Sequence, residues 1–178
     1  MDSLPRIALV GAMGIGKTTA LRSLCGDKMI SSDVVNLDRA SNAKEFTTVG
    51  TEFGEIDLGD GERVQVCGCP GQERFSFVRQ WILSVSMGIF VMVDVNQPGA
   101  VQEASRLLQD VAALEQPPVV LILSARHAAA SAVDAFAASL TRAGHGVVPV
   151  LQADPRERSQ MLDAVGVLAS MLSLQGEE

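Results

Sequence analysis

The sequence predicts an α/β protein. Its 178 residues are read as one domain, 1–178, built on a six-stranded, mostly parallel sheet with one antiparallel edge strand and helices on both faces. Three observations predict this. Short apolar runs alternate with stretches of helical periodicity along the chain, the pattern of a doubly wound sheet. The first apolar run leads directly into "GAMGIGKTT", residues 11–19. Asp60-Gly61, a hairpin turn pair, sits between two strand-like runs and places one antiparallel step in the sheet.

"RIALV" (6–10) reads as a buried strand, and a helix follows over about Lys17 to Cys25. Residues 27–46 are polar and mixed, and read as a loop with at most a short helix. "TVGTEFGEIDL" and "ERVQVCGC" are the hairpin strands around "GDG". After a further helix come two buried strands, "GIFVMVDV" (88–95) and "PVVLILS" (118–124). "GVVPVL" (146–151) is the last strand, and Pro149 suits it to an edge because proline donates no ladder hydrogen bond. Residues 99–115, 128–143 and 156–173 carry apolar residues at helical spacing, with Val101, Ala104, Leu107, Leu108 and Val111 a clear stripe. Pro98-Gly99 and Pro117-Pro118 bracket that helix as breakers. The terminal "QGEE" is expected to fray.

The stretch after the first strand fits G-x-x-x-x-G-K-[ST], a P-loop, without a mismatch. Gly11, Ala12, Met13, Gly14, Ile15, Gly16 and Thr19 would wrap backbone N–H groups around a phosphate. Lys17 would reach the β- and γ-phosphates, and the Thr18 hydroxyl would ligate Mg²⁺. The helix beginning there adds the positive end of its dipole.

The whole-chain composition narrows the partners. At 47% hydrophobic and 20% charged, the chain reads as globular. A net charge of -7 argues against nucleic acid but not against a nucleotide, which backbone donors and one lysine can hold. Cys25, Cys67 and Cys69 are too few for a disulfide framework and suggest a reducing compartment. Cys67 and Cys69 would share one strand face. With only His127 and His145 as further soft ligands, core packing is the favoured role for them over zinc. No basic-apolar leader and no apolar run of ~18 residues is seen, so the expectation is a cytoplasmic protein with no integral membrane segment.

With the P-loop, "CPGQERF" (69–75) after the hairpin and "FTTVGTEFG" (46–54) before it, the chain resembles the Ras-like small GTPases. The likeness is greatest to the bacterial branch of gliding-motility and cell-polarity GTPases and related ATP/GTP-binding proteins. The resemblance implies that Thr48, or else Thr47, offers an oxygen to Mg²⁺ when a γ-phosphate is present. The Gly71 N–H would bond to that phosphate, and Gln72 would orient the attacking water. The other reading of Gln72 is a solvated first-turn residue. Loss of the γ-phosphate would release both segments, an order–disorder switch.

Two departures bear on the ligand. The aspartate that Ras-like proteins place three residues before the switch glycine is here Gly68, which implies weaker metal anchoring. Asp94 is a spare carboxylate on the same sheet edge, better read as a turn residue before Gln97-Pro98-Gly99. The Asn-Lys-x-Asp motif that reads guanine is replaced by Ser124, Ala125, Arg126 and His127, which cannot reproduce its carboxylate contact. Asp154 could serve a purine amine, but with Pro155 and Glu157 it more readily forms a helix capping signature. Arg126 could stack on a base or be a solvated loop residue.

The expected function is a nucleotide-dependent switch that binds GTP with Mg²⁺ and hydrolyses it slowly to GDP. Its base-site candidates are Ser124, Arg126, His127 and Asp154, and its catalytic candidates are Gln72 and Lys17. Arg74 is near the switch but is read as solvated, so no internal arginine finger is assigned. The resemblance implies a roadblock/longin-type activating protein and an effector. The alternatives are an ATP-binding or base-promiscuous NTPase, or a non-hydrolysing interaction protein.

Overall fold

A computed structural model of the chain describes residues 4–34 and 49–175. Among these, seven strands form one sheet: β1 (Arg6–Gly11), β2 (Ile30–Val34), β3 (Val49–Gly59), β4 (Glu62–Gly68), β5 (Gly88–Val93), β6 (Val119–Ser124) and β7 (Val150–Gln152). Their order is β2-β3-β4-β1-β5-β6-β7. The α-helices are α1 (Lys17–Cys25), α2 (Ser76–Ser84), α3 (Ala100–Ala112), α4 (Ala130–Leu140) and α5 (Arg158–Gln175).

The period-two pattern of the strands divides the core. Ile7 and Leu9 of β1 face one side, with Phe90 and Met92 of β5, and pack on Leu21 and Leu24 of α1 and on Met161, Val165 and Leu168 of α5. Ala8 and Val10 point the other way, with Ile89, Val91 and Val93, against Val78 and Ile82 of α2, Leu107 and Val111 of α3 and Phe136 of α4. Such near-continuous apolar strands belong to a parallel sheet covered on both faces. Cys67 and Cys69 share the second cluster while Cys25 lies in the first, and all three are buried free thiols.

The six expected strands are all present, and the hairpin is a two-residue turn. Gly59 pairs with Glu62, and Asp60 and Gly61 both take positive φ, 52° and 84°. Two successive left-handed residues make the type I′ turn that matches strand twist.

Three local expectations are corrected. Residues 30–34, read within a loop, form β2, which pairs antiparallel with β3, so the sheet has seven strands and β3 is not its edge. The last strand is Val150–Gln152 rather than 146–151, though it is an edge as Pro149 suggested. Helix α5 begins at Arg158 rather than 156, because Asp154 and Pro155 lie in a preceding turn.

Candidate functional site

The parallel strands β1, β4, β5, β6 and β7 all end at one edge of the sheet, where the loops of an α/β protein gather around a ligand. The P-loop leaves β1 there, at the centre. Ile15 is 8% exposed and pegs the loop into the core, while Ala12, Met13 and Gly14 stand in solvent. Lys17 turns back over the loop, and its ammonium donates to the carbonyls of Gly11 (2.7 Å) and Ala12 (2.8 Å). Burial lowers the Lys17 pKa from its ordinary value, since desolvation penalises the charged form.

A cavity of about 400 Å³ opens on this loop and is lined by Lys17, Thr18, Thr19, Glu52, Gly68 and Gly71, among others. The Thr18 hydroxyl donates to the Glu52 carboxylate at 2.5 Å. Glu52 lies on β3 directly across the ladder from Gly68, the position without the expected aspartate. Thr18 and Glu52 are hard oxygen donors of the kind Mg²⁺ prefers, so the residues present fit that ion. Gly71 lies flush on the P-loop: a Cβ there would stand 2.8 Å from the Met13 nitrogen. Thr47 and Thr48 lie outside the described residues.

Gln72 precedes a short 3₁₀ turn, Glu73–Phe75, and both ends of its amide are engaged. Its Oε1 accepts from Arg74 Nε at 2.7 Å, and its Nε2 lies 3.8 Å from the Met13 sulfur. Arg74, expected to be solvated, also stacks over the Phe75 ring at 4.6 Å. Glu73 pairs with Arg106 of α3 and with the buried Arg79 of α2, tying this turn to two helices. Asp94 is a turn residue, accepting from the Asn96 backbone at 3.1 Å and from the Asn96 amide at 2.9 Å.

A second cavity, about 410 Å³, adjoins the first and shares Gly14, Gly16 and Thr19 with it. Arg126, His127, Asp154, Pro155 and Arg156 form its far wall. Arg126 is not simply solvated: its guanidinium donates to Ile15 O (2.7 Å), Ala125 O (2.9 Å) and Gly14 O (3.1 Å), strapping the β6 loop to the P-loop. Asp154 caps its own turn through the Arg156 N–H and pairs with the Arg156 guanidinium at 2.6 Å. That hydrogen bonding holds its carboxyl down at about 2. The capping signature is therefore displaced, and Glu157 O accepts from the Met161 N–H of the first turn of α5. Ser124 is 1% exposed, beneath this wall, and its hydroxyl donates to Arg126 O. The structure thus brings Arg126, His127 and Asp154 to one cavity and leaves Ser124 below it.

Comparison with known proteins identifies the family and supports the fold. A family model described as "50S ribosome-binding GTPase" matches residues 6–125. The Ras-related protein RabC of Dictyostelium discoideum is 26% identical over 127 residues, which are 68% of this chain and 59% of that protein. The cytosolic domain of the T. maritima FeoB iron transporter in its GMPPNP form superposes with a TM-score of 0.65 at 16% identity. That match covers 95% of this chain and 64% of the other. The same domain in its apo form gives 0.64 at 15% identity over 96% and 64%. At such identities these structures speak for the fold alone. Among the described residues, no helix is long and apolar enough to cross a membrane.

Proposed function

This chain belongs to the 50S ribosome-binding GTPase family, and from that premise we propose that it is a small Ras-like switch that binds GTP with Mg²⁺ and hydrolyses it slowly to GDP. One observation carries the reading: Lys17, Thr18, Glu52 and Gly71 surround a single cavity at the P-loop. Lys17 exchanges its two carbonyl contacts for β- and γ-phosphate oxygens, which restore the charge stabilisation that burial removes. Thr18 and Glu52, together with Thr48 from the preceding segment, hold Mg²⁺, which supplies neutralisation of phosphate charge when bound. Glu52 takes the anchoring part for which the sequence offers only Gly68.

Gln72 orients a water for in-line attack on the γ-phosphate. The Lys17 ammonium and the loop N–H groups stabilise the charge that develops on the phosphate oxygens, and the proton of the water passes to the released phosphate. With Gln72 engaged by Arg74 and no arginine lining the phosphate cavity among the described residues, unassisted turnover is slow, on the order of 10⁻⁴ to 10⁻² per second. A roadblock/longin-type activator and an effector read the segment that carries Gln72.

The test is phosphate release from Mg-GTP by the protein and by Gln72→Ala. Release by the first and an at least tenfold loss in the second is expected. Equal release from both would take Gln72 out of the mechanism, and none from either, even with an activator present, would instead identify a non-hydrolysing interaction protein.

A further inference from the structure

The second cavity reaches its neighbour through Gly14, Gly16 and Thr19, so a nucleotide with phosphates on the P-loop would lay its base here. The hydrogen-bonding groups around Asp154 are largely engaged within the protein. Asp154 is the carboxylate of this cavity, and a carboxylate has about four acceptor sites. All are taken by one neighbour: Oδ1 accepts from the Arg156 backbone N–H (2.9 Å) and Nε (3.0 Å), and Oδ2 from Nη2 (2.6 Å) and Nε (3.2 Å). Three backbone donors beside the wall are taken as well. The N–H of Ala153 bonds to Ser124 O (3.2 Å), that of Asp154 to Gln160 Oε1 (2.9 Å), and that of Ala128 to Gln152 Oε1 (3.1 Å).

What remains suits a flat ring and not a particular edge. Arg126 makes three in-plane hydrogen bonds to backbone carbonyls, two of them in the P-loop, which fixes the guanidinium of this exposed residue so that its face can stack on a π-system. His127, exposed at the rim, brings two ring nitrogens that can meet a nitrogen of any purine. We infer that this cavity holds the base by stacking and shape, so that the protein accepts purine nucleoside triphosphates with little regard to the groups at ring positions 2 and 6. The inference rests on the nucleotide-binding reading above and specifies its substrate class. A pocket that reads a polar edge rejects the wrong partner by about 10⁴-fold, whereas one that relies on shape and apolar contact discriminates by about 200-fold or less.

The test titrates the full chain with ribose-labelled fluorescent GTP, ITP and ATP in Mg²⁺ buffer, beside Lys17→Ala and Arg156→Ala. Dissociation constants within about 200-fold of one another are expected for the unaltered protein. Arg156→Ala changes an exposed side chain and frees Asp154 Oδ2 while leaving the backbone N–H on Oδ1, so it should create a GTP-over-ITP preference of at least about tenfold through the guanine 2-amino group. A wider spread in the unaltered protein overturns the inference while nucleotide binding stands. An unchanged GTP/ITP ratio in Arg156→Ala also overturns it, because Asp154 is then not a masked reader. If no triphosphate binds, or Lys17→Ala binds all three as well as the unaltered protein does, the nucleotide reading falls and takes the inference with it.

Discussion

Thr18 and Glu52 meet at 2.5 Å, hydroxyl to carboxylate, across the gap between the start of α1 and the middle of β3. Glu52 is the antiparallel partner of Gly68, and directly opposed residues in such a ladder send side chains to the same face. A carboxylate missing from β4 is thereby supplied from its neighbour.

The consequence is testable through the metal. Glu52→Gln keeps an acceptor for Thr18 but removes the charge, so Mg²⁺ should support nucleotide retention about 10- to 100-fold less well. The measurement is nucleotide dissociation as a function of free Mg²⁺. Adding Gly68→Asp should restore part of the loss, since a Cβ at that position meets nothing nearer than Glu52 O at 3.7 Å. An Mg²⁺ dependence untouched by Glu52→Gln would leave Glu52 a structural partner of Thr18.

Gly71 gives a mechanical prediction. In Gly71→Ala the new methyl would stand 2.8 Å from Met13 N and 3.2 Å from Gly11 O, both backbone atoms of the P-loop. Neither can turn aside as a side-chain tip would, so the loop or the strand end must move. Overpacking of this kind costs about 1–3 kcal/mol. The melting temperature should drop, and nucleotide release should quicken because the shifted atoms are the cradle. A variant with an unchanged melt and unchanged release would show that the two segments do not touch in solution.

The three thiols report on the same packing. Cys25, Cys67 and Cys69 are 7%, 7% and 2% exposed, and burial raises the pKa of each. Cys69 is pushed up to about 12, so at pH 8 that thiol is almost wholly protonated. An aromatic disulfide reagent should react slowly with the native protein and rapidly with all three thiols in denaturant. Native reactivity should climb as pH rises, because thiolate is the attacking species. A fast native equivalent at pH 8 would mean that one of the three is open to solvent.

The limits of sequence reading can be located residue by residue. Lys17–Cys25 was legible to the residue because the P-loop pattern fixes where the helix begins, and Asp60-Gly61 named its own turn. Glu52 was not legible because of one irregularity. Counting back evenly from Gly59–Glu62 would set Phe53 opposite Gly68, but the ladder shifts between Asp57 and Gly59 and brings Glu52 there instead. A one-residue slip exchanges the faces of a strand, so the residue that matters reads as pointing away. Strand β2 was missed because Ser31, Ser32 and Asp33 carry no apolar alternation, as edge strands often do not. Asp154 carried a genuine capping signature, but Arg156, two residues on, supplies a backbone N–H and a guanidinium that hold it in a tighter turn. Arg126 makes bonds 111 and 112 residues away in sequence, which no local pattern encodes.

Arg74 sets the last prediction. Its Nε occupies the Gln72 carbonyl oxygen at 2.7 Å, the atom that would have to accept from an attacking water. In this arrangement the glutamine is stored rather than deployed. Arg74→Ala frees it, at the cost of an exposed bond worth about 1 kcal/mol or less, so single-turnover phosphate release should rise by up to roughly fivefold. Met13 flanks the other end of the amide more loosely, at 3.8 Å, and Met13→Ala should have the smaller effect. The measurement is phosphate release from a saturated complex without an activator. A fall in rate on removing Arg74 would reverse its role: the guanidinium would then be steadying charge on the transferring phosphoryl group, with the Gln72 contact the bond it leaves to get there.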